Sequence, residues 1–204
     1  MSGFETIRVA TDADGIATLA LDRPDKHHAM DGRMIAELTE AAAALGADPG
    51  VRAVVLASSG PSFCAGGDLG WMRAQAAADR AGKIAEAGRL AAMLAALDAL
   101  PKPLIARVQG DVYGGGVGLI AVSDLAIAAE GVRLALTETR LGLIPATIGP
   151  FLVRRMGAGM ARQVFFSGNA FGTDFALRAG LLHEVCAAGE LDGRVRRQAE
   201  AVLK

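Results

Sequence analysis

Aromatic residues are scarce: Phe, Trp and Tyr together make up 4% of the chain. A surface that stacks nucleobases on exposed rings needs more of them, so recognition falls to the main chain and to small side chains. Charge of one sign is also lacking. The formal net charge is -1, and the lysines and arginines stand singly instead of in runs, which removes the electrostatic footprint of a nucleic-acid binder. The 2 cysteines among 204 residues are no disulfide framework, and together with the 3 histidines they show no metal-ligand spacing. No apolar run approaches a membrane span, and Met1-Ser2-Gly3-Phe4-Glu5 has neither the basic stretch nor the apolar core of a signal peptide. The expectation is a cytoplasmic protein without a metal, a membrane or nucleic acid as partner.

What is present is apolar and small. Hydrophobic residues reach 52% and glycines number 26, the balance of an ordinary globular domain that is large enough to need no staples. Ile7 to Val9 and Ile16 to Leu21 alternate as half-buried strands across a polar segment ending in Gly15, which predicts a hairpin. Asp31 is a good N-cap for a helix carrying Met34, Ile35, Leu38, Ala42 and Leu45 at helical spacing, with Gly46 and Pro49-Gly50 as its stop. Buried strands are predicted at 51–57, 104–108 and 125–129, a helix at 85–100, a short apolar helix at 117–122, and a largely helical remainder with a strand near 183–185. The strand, loop, helix rhythm returns at loosely similar spacing, which permits a superhelical stack of turns.

Two segments share one design, a strand running into a glycine-rich loop that enters a helix: 54–57 through Phe63-Cys64-Ala65-Gly66-Gly67-Asp68-Leu69, and 105–108 through Gly114-Gly115-Gly116-Val117. Unsatisfied N–H groups at a helix start attract negative charge, so two such loops facing each other would form an oxyanion hole. Neither has the lysine of a phosphate loop nor the spacing of a dinucleotide fingerprint.

These motifs, in this order, resemble the enoyl-CoA hydratase/isomerase (crotonase) family. Leu21-Asp22-Arg23-Pro24-Asp25-Lys26-His27-His28-Ala29-Met30 looks like its early coenzyme A loop, and the two glycine-rich loops look like its oxyanion loops. Glu138-Thr139-Arg140-Leu141-Gly142-Leu143-Ile144-Pro145 looks like its acid/base segment, and 180–185 like a later structural strand. The resemblance implies an α/β crotonase-like spiral of ββα turns with a helical C-terminal part, a single domain over 1–204, and homotrimers or hexamers. It also implies a coenzyme A thioester as substrate with no cofactor. By position, Glu138 is the acid/base and the N–H groups of Gly67 and Gly115 hold the thioester oxygen. Asp68, Leu69 and Gly70 run along the thioester, Lys26, His27 and Ala29 lie near pantetheine or phosphates, and Ala65, Trp71 and Gly118 complete the substrate set. Trp71, Met72 and the 144–150 stretch resemble hydratases of branched acyl-CoA breakdown, of the methylglutaconyl-CoA type.

Two departures stand out. Against the resemblance, the family's first glutamate is replaced by Gly118, leaving Glu138 alone, and the expectation is a domain without the family's usual C-terminal trimerisation helices. The expected activity is hydration of a 2-enoyl-CoA. The alternatives are a 3-enoyl to 2-enoyl isomerase, which needs one carboxylate, and an acyl-CoA-binding protein without turnover. Cys64 is expected to be a small buried residue, and Asp68 and Asp124 to anchor backbone.

Overall fold

The structure, a computed structural model, describes residues 3–203. Met1, Ser2 and Lys204, to which the readings of the two chain ends extend, lie outside the described residues. The expected hairpin is present: β1 (Ile7–Thr11) pairs antiparallel with β2 (Ile16–Leu21), and the Asp12 carboxylate closes the turn by accepting from the N–H groups of Asp14 and Ile16. Helix α1 (Gly32–Ala47) follows, capped at Asp31 by a bond from the Met34 N–H, and it buries Met34, Ile35, Leu38, Ala42 and Leu45 as their spacing requires.

Two strands and then helix recur three times from there. β3 (Ala53–Ala57) and β4 (Ser62–Cys64) precede α2 (Leu69–Ala77) and α3 (Arg80–Asp98). β5 (Leu104–Val108) and β6 (Asp111–Tyr113) precede α4 (Gly115–Ala121). β7 (Leu125–Ala129) and β8 (Arg133–Ala135) precede a 3-10 turn (Glu138–Leu141) and α5 (Gly149–Ser167). The chain finishes with β9 (Phe171–Gly172), α6 (Thr173–Arg178), β10 (Glu184–Cys186) and α7 (Leu191–Ala201).

The first strand of each pair enters a six-stranded sheet, ordered β1-β2-β3-β5-β7-β10, and the second enters a four-stranded sheet, ordered β4-β6-β8-β9. β3, β5 and β7 are parallel neighbours in one sheet, as are β4, β6 and β8 in the other, so each ββα turn advances the chain by one strand in both sheets. That is the expected spiral. Its consequence is positional, because the loops leaving β4 and β6 must run side by side.

Glu37 ties the first strand to this core. Its buried carboxylate accepts from the Glu5 and Thr6 N–H groups and the Thr6 hydroxyl. Burial opposes ionisation, but these donors and Arg33 outweigh it and hold the carboxyl below its ordinary 4.5. A folded value below the unfolded one means the stabilisation is present above the ordinary glutamate range and is lost as pH falls through the lower folded value. Glu37→Ala should cost about 1–3 kcal/mol by stranding these donors, measured by urea unfolding at neutral pH, and the difference from wild type should shrink in acid.

Candidate active site

Glycine brings the two loops together. Gly66, at φ +89°, has its Cα within 3.8 Å of where a Cβ on Gly114 would stand, and a Cβ on Gly66 would lie 3.0 Å from the Tyr113 carbonyl oxygen. Gly114, at φ +48°, answers from the other side, so the loops touch backbone to backbone. The β4–β6 pairing, Ser62 to Asp111 and Cys64 to Val112, fixes this approach.

The early loop locks onto the first of them. Ala65 N–H donates to the His27 carbonyl, Met30 N–H to Gly66, and Asp68 N–H to Met30. In that bridge the N–H of Gly67 points away from Met30 and is free to face a ligand. Gly115 opens α4, where its N–H has no carbonyl a turn earlier in the helix. Both glycines line one pocket of about 140 Å³ together with Glu138 and Trp71. Met30 supplies a floor: a Cβ on Gly115 would come within 2.4 Å of its Cε.

The other expected site residues sort by what they touch. Asp68 caps α2, accepting from Gly70 and Trp71, and pairs with Arg23; the Trp71 N–H above all, against burial and with help from Gly70 and Arg23, holds its carboxyl below the usual range. Arg23 also donates to the Ala29 carbonyl and pairs with Asp31, so one guanidinium clamps the early loop to the oxyanion loop. Lys26, His27, Leu69 and Gly70 lie exposed along the same edge, with Ala65 half-buried and Ala29 buried between them. His27 engages Ser62 through its ring, and His28 is buried with both ring nitrogens occupied, by the Arg23 N–H and the Ser59 carbonyl. Gly118 is buried one turn into α4 beneath Ile148 and is not among the lining residues.

Glu138 is half-buried, and its Oε2 is enclosed without a hydrogen-bond partner. Burial raises its pKa above the ordinary 4.5. Arg140, which could have opposed this, is turned away and bonds to Asn169. Cys64 is fully buried, its thiol pushed up to about 12 by burial, which leaves no thiolate for nucleophilic work. Asp124 anchors the start of β5 by accepting from the Leu104 N–H. Among the described residues no His, Cys, Asp and Glu cluster is placed to hold a metal ion. Among them, too, no helix is long and apolar enough to cross a membrane.

The arrangement offers two backbone donors for a developing oxyanion and one desolvated carboxylate beside them, in an apolar enclosure. Met30 of the early loop and Pro145, Thr147 and Ile148 of the 144–150 stretch also line the pocket, together with two residues that no motif assigned to a site, Ile35 from α1 and Leu90 from α3. Helical periodicity marked Ile35 and Leu90 as apolar-face residues, but nothing in it said that this face opens onto a pocket.

The enoyl-CoA hydratase/isomerase family model matches residues 11–204. A crystal structure of an enoyl-CoA hydratase from Shewanella pealeana superimposes with a TM-score of 0.94 at 36% identity, covering 98% of this chain and 74% of that one. A crotonyl-CoA hydratase of Syntrophomonas wolfei is 32% identical over 190 residues, 92% of this chain and 72% of the relative. An enoyl-CoA hydratase of Alternaria alternata is 32% identical over 184 residues, but the match spans only 58% of that relative's length. With its spiral, its paired glycine loops and this match over nearly its whole length, the chain belongs to the enoyl-CoA hydratase/isomerase family.

Proposed function

We propose that this chain adds water across the double bond of a 2-enoyl-CoA in acyl-CoA breakdown. The observation that carries the reading is the enclosed, unpartnered Oε2 of Glu138 in the same pocket as Gly67 and Gly115. Glu138 takes a proton from water as its oxygen bonds to the β-carbon, the thioester oxygen gains negative charge against the two N–H groups, and Glu138 returns the proton to the α-carbon. Lys26, His27, Ala29, Ala65 and the 68–70 edge would carry the coenzyme A portion, with Trp71 at the acyl end. The protein acts without a cofactor, as one crotonase-like domain over 1–204, in a cytoplasmic homotrimer or hexamer.

A branched acyl chain is the preferred guest on the strength of Trp71, Met72 and the 144–150 stretch. The lining residues include no cation among the described residues, so a neutral branched chain suits the pocket better than methylglutaconyl with its second carboxylate. A second reading, isomerisation of 3-enoyl-CoA, is favoured by the filled space over Gly118, which leaves one carboxylate for proton transfer.

Short linear, branched and 3-methylglutaconyl 2-enoyl-CoA, and 3-enoyl-CoA, should each be incubated with the protein while the conjugated thioester absorbance is followed. Loss of absorbance from a 2-enoyl substrate is the expected result. A gain from 3-enoyl-CoA alone would reassign the protein as an isomerase, and binding without any change would make it a carrier of acyl-CoA.

A further inference from the structure

The place of the family's first glutamate is physically occupied. A Cβ on Gly118 would stand 2.5 Å from Cγ2 of Ile148 and 3.1 Å from its Cβ, so no side chain can reach the pocket from that position while Ile148 is there. A water poised for addition still needs two partners, one to accept its proton and one to fix its orientation. Three side chains in the pocket lining carry polar atoms: Glu138, Trp71 and Thr147. The Trp71 indole N–H is already given to Glu86 at 3.1 Å. Thr147 is half-buried, and its hydroxyl is engaged in no hydrogen bond among the described residues.

Thr147 and Ile148 are neighbours in a tight turn, closed by bonds from the Ala146 N–H to Ile144 and from the Gly149 N–H to Pro145. Both line the pocket, and Ile148 also fills the vacated acid's place. We propose that Thr147 is the water-positioning residue of this site, its hydroxyl orienting the water that Glu138 deprotonates. This rests on the hydratase reading above. The hydroxyl accepts or donates one hydrogen bond and exchanges no proton in the cycle; the proton still passes from water to Glu138 and on to the α-carbon.

The test separates water addition from proton transfer at carbon. Thr147→Val keeps the shape and removes the hydroxyl, and Thr147→Ser keeps the hydroxyl. Each is assayed for hydration of a 2-enoyl-CoA and, in deuterated water by NMR, for exchange of the α-protons of butyryl-CoA, which needs Glu138 and the oxyanion donors but no attacking water. Thr147→Val should lower kcat for hydration about tenfold, the loss of one hydrogen bond, with KM and α-proton exchange unchanged, and Thr147→Ser should restore the rate. Undiminished hydration in Thr147→Val would overturn the role, and so would a parallel fall in exchange, which marks a structural defect. A wild-type protein that exchanges α-protons but hydrates no substrate fails the hydratase reading itself and removes the water to be positioned.

Discussion

Glu138→Gln should lower hydration by about 10²- to 10⁴-fold while leaving binding of the coenzyme A thioester nearly intact. The amide keeps the shape of the side chain but cannot take a proton from water, and among the described residues the pocket lining contains no second carboxylate to substitute for it. The pH profile gives an independent check. The working form of Glu138 is the carboxylate, and burial raises its pKa, so kcat/KM should fall as pH drops through a value above the ordinary 4.5 of a glutamate. In Glu138→Gln the residual rate should lose that acid limb. A limb of the same position surviving in the variant would assign the titration to another group and remove Glu138 from the proposed role.

Restoring the missing acid should do harm. Gly118→Glu drives a side chain into Ile148 and buries a carboxylate with no partner beneath it, so the expected outcome is a loss of about 3 kcal/mol or more, close to 10 °C in Tm, with no gain in rate. Adding Ile148→Gly removes the colliding atoms but truncates a buried side chain, so the double variant should be more stable than the sum of the two single losses predicts. Differential scanning calorimetry of the two single variants and the double variant gives the coupling directly. If Gly118→Glu alone is as stable as wild type and hydrates faster, then Ile148 yields easily and does not determine the one-carboxylate site.

The central strands of the large sheet, β3, β5 and β7, could be read because they are apolar on both faces: 104–108 and 125–129 stand where the hydrophobic runs put them, and β3 lies within its predicted 51–57. The small sheet could not. Its strands have two or three residues, too few for alternation to register, and their pairing joins segments far apart in sequence. Helix α2 is expected only as the helix that the first glycine-rich loop enters, without an extent, because it buries no residue and so has no apolar stripe, and α3 starts at Arg80 instead of 85 because its first turns are exposed and announced only by the Asp79 cap. At the candidate site, motif order names Glu138, Gly67 and Gly115, and the fold gathers these three in one pocket. The filling of the Gly118 position by Ile148 was not legible, since it is a contact between residues of two different turns of the spiral. Nor was the burial of Glu138, which decides the direction of its pKa, or the turning of Arg140 to Asn169.

The backbone contact between Gly66 and Gly114 has a thermal consequence. Donors held apart by side chains must be gathered as the substrate arrives, and that gathering appears in the barrier as lost entropy. Here the spacing between the two N–H groups is set by strand pairing and by glycines packed against each other, before any substrate is present. The entropic part of the activation barrier should therefore be small, so that an Eyring plot of ln(k/T) against 1/T extrapolates to an intercept close to that of a zero activation entropy.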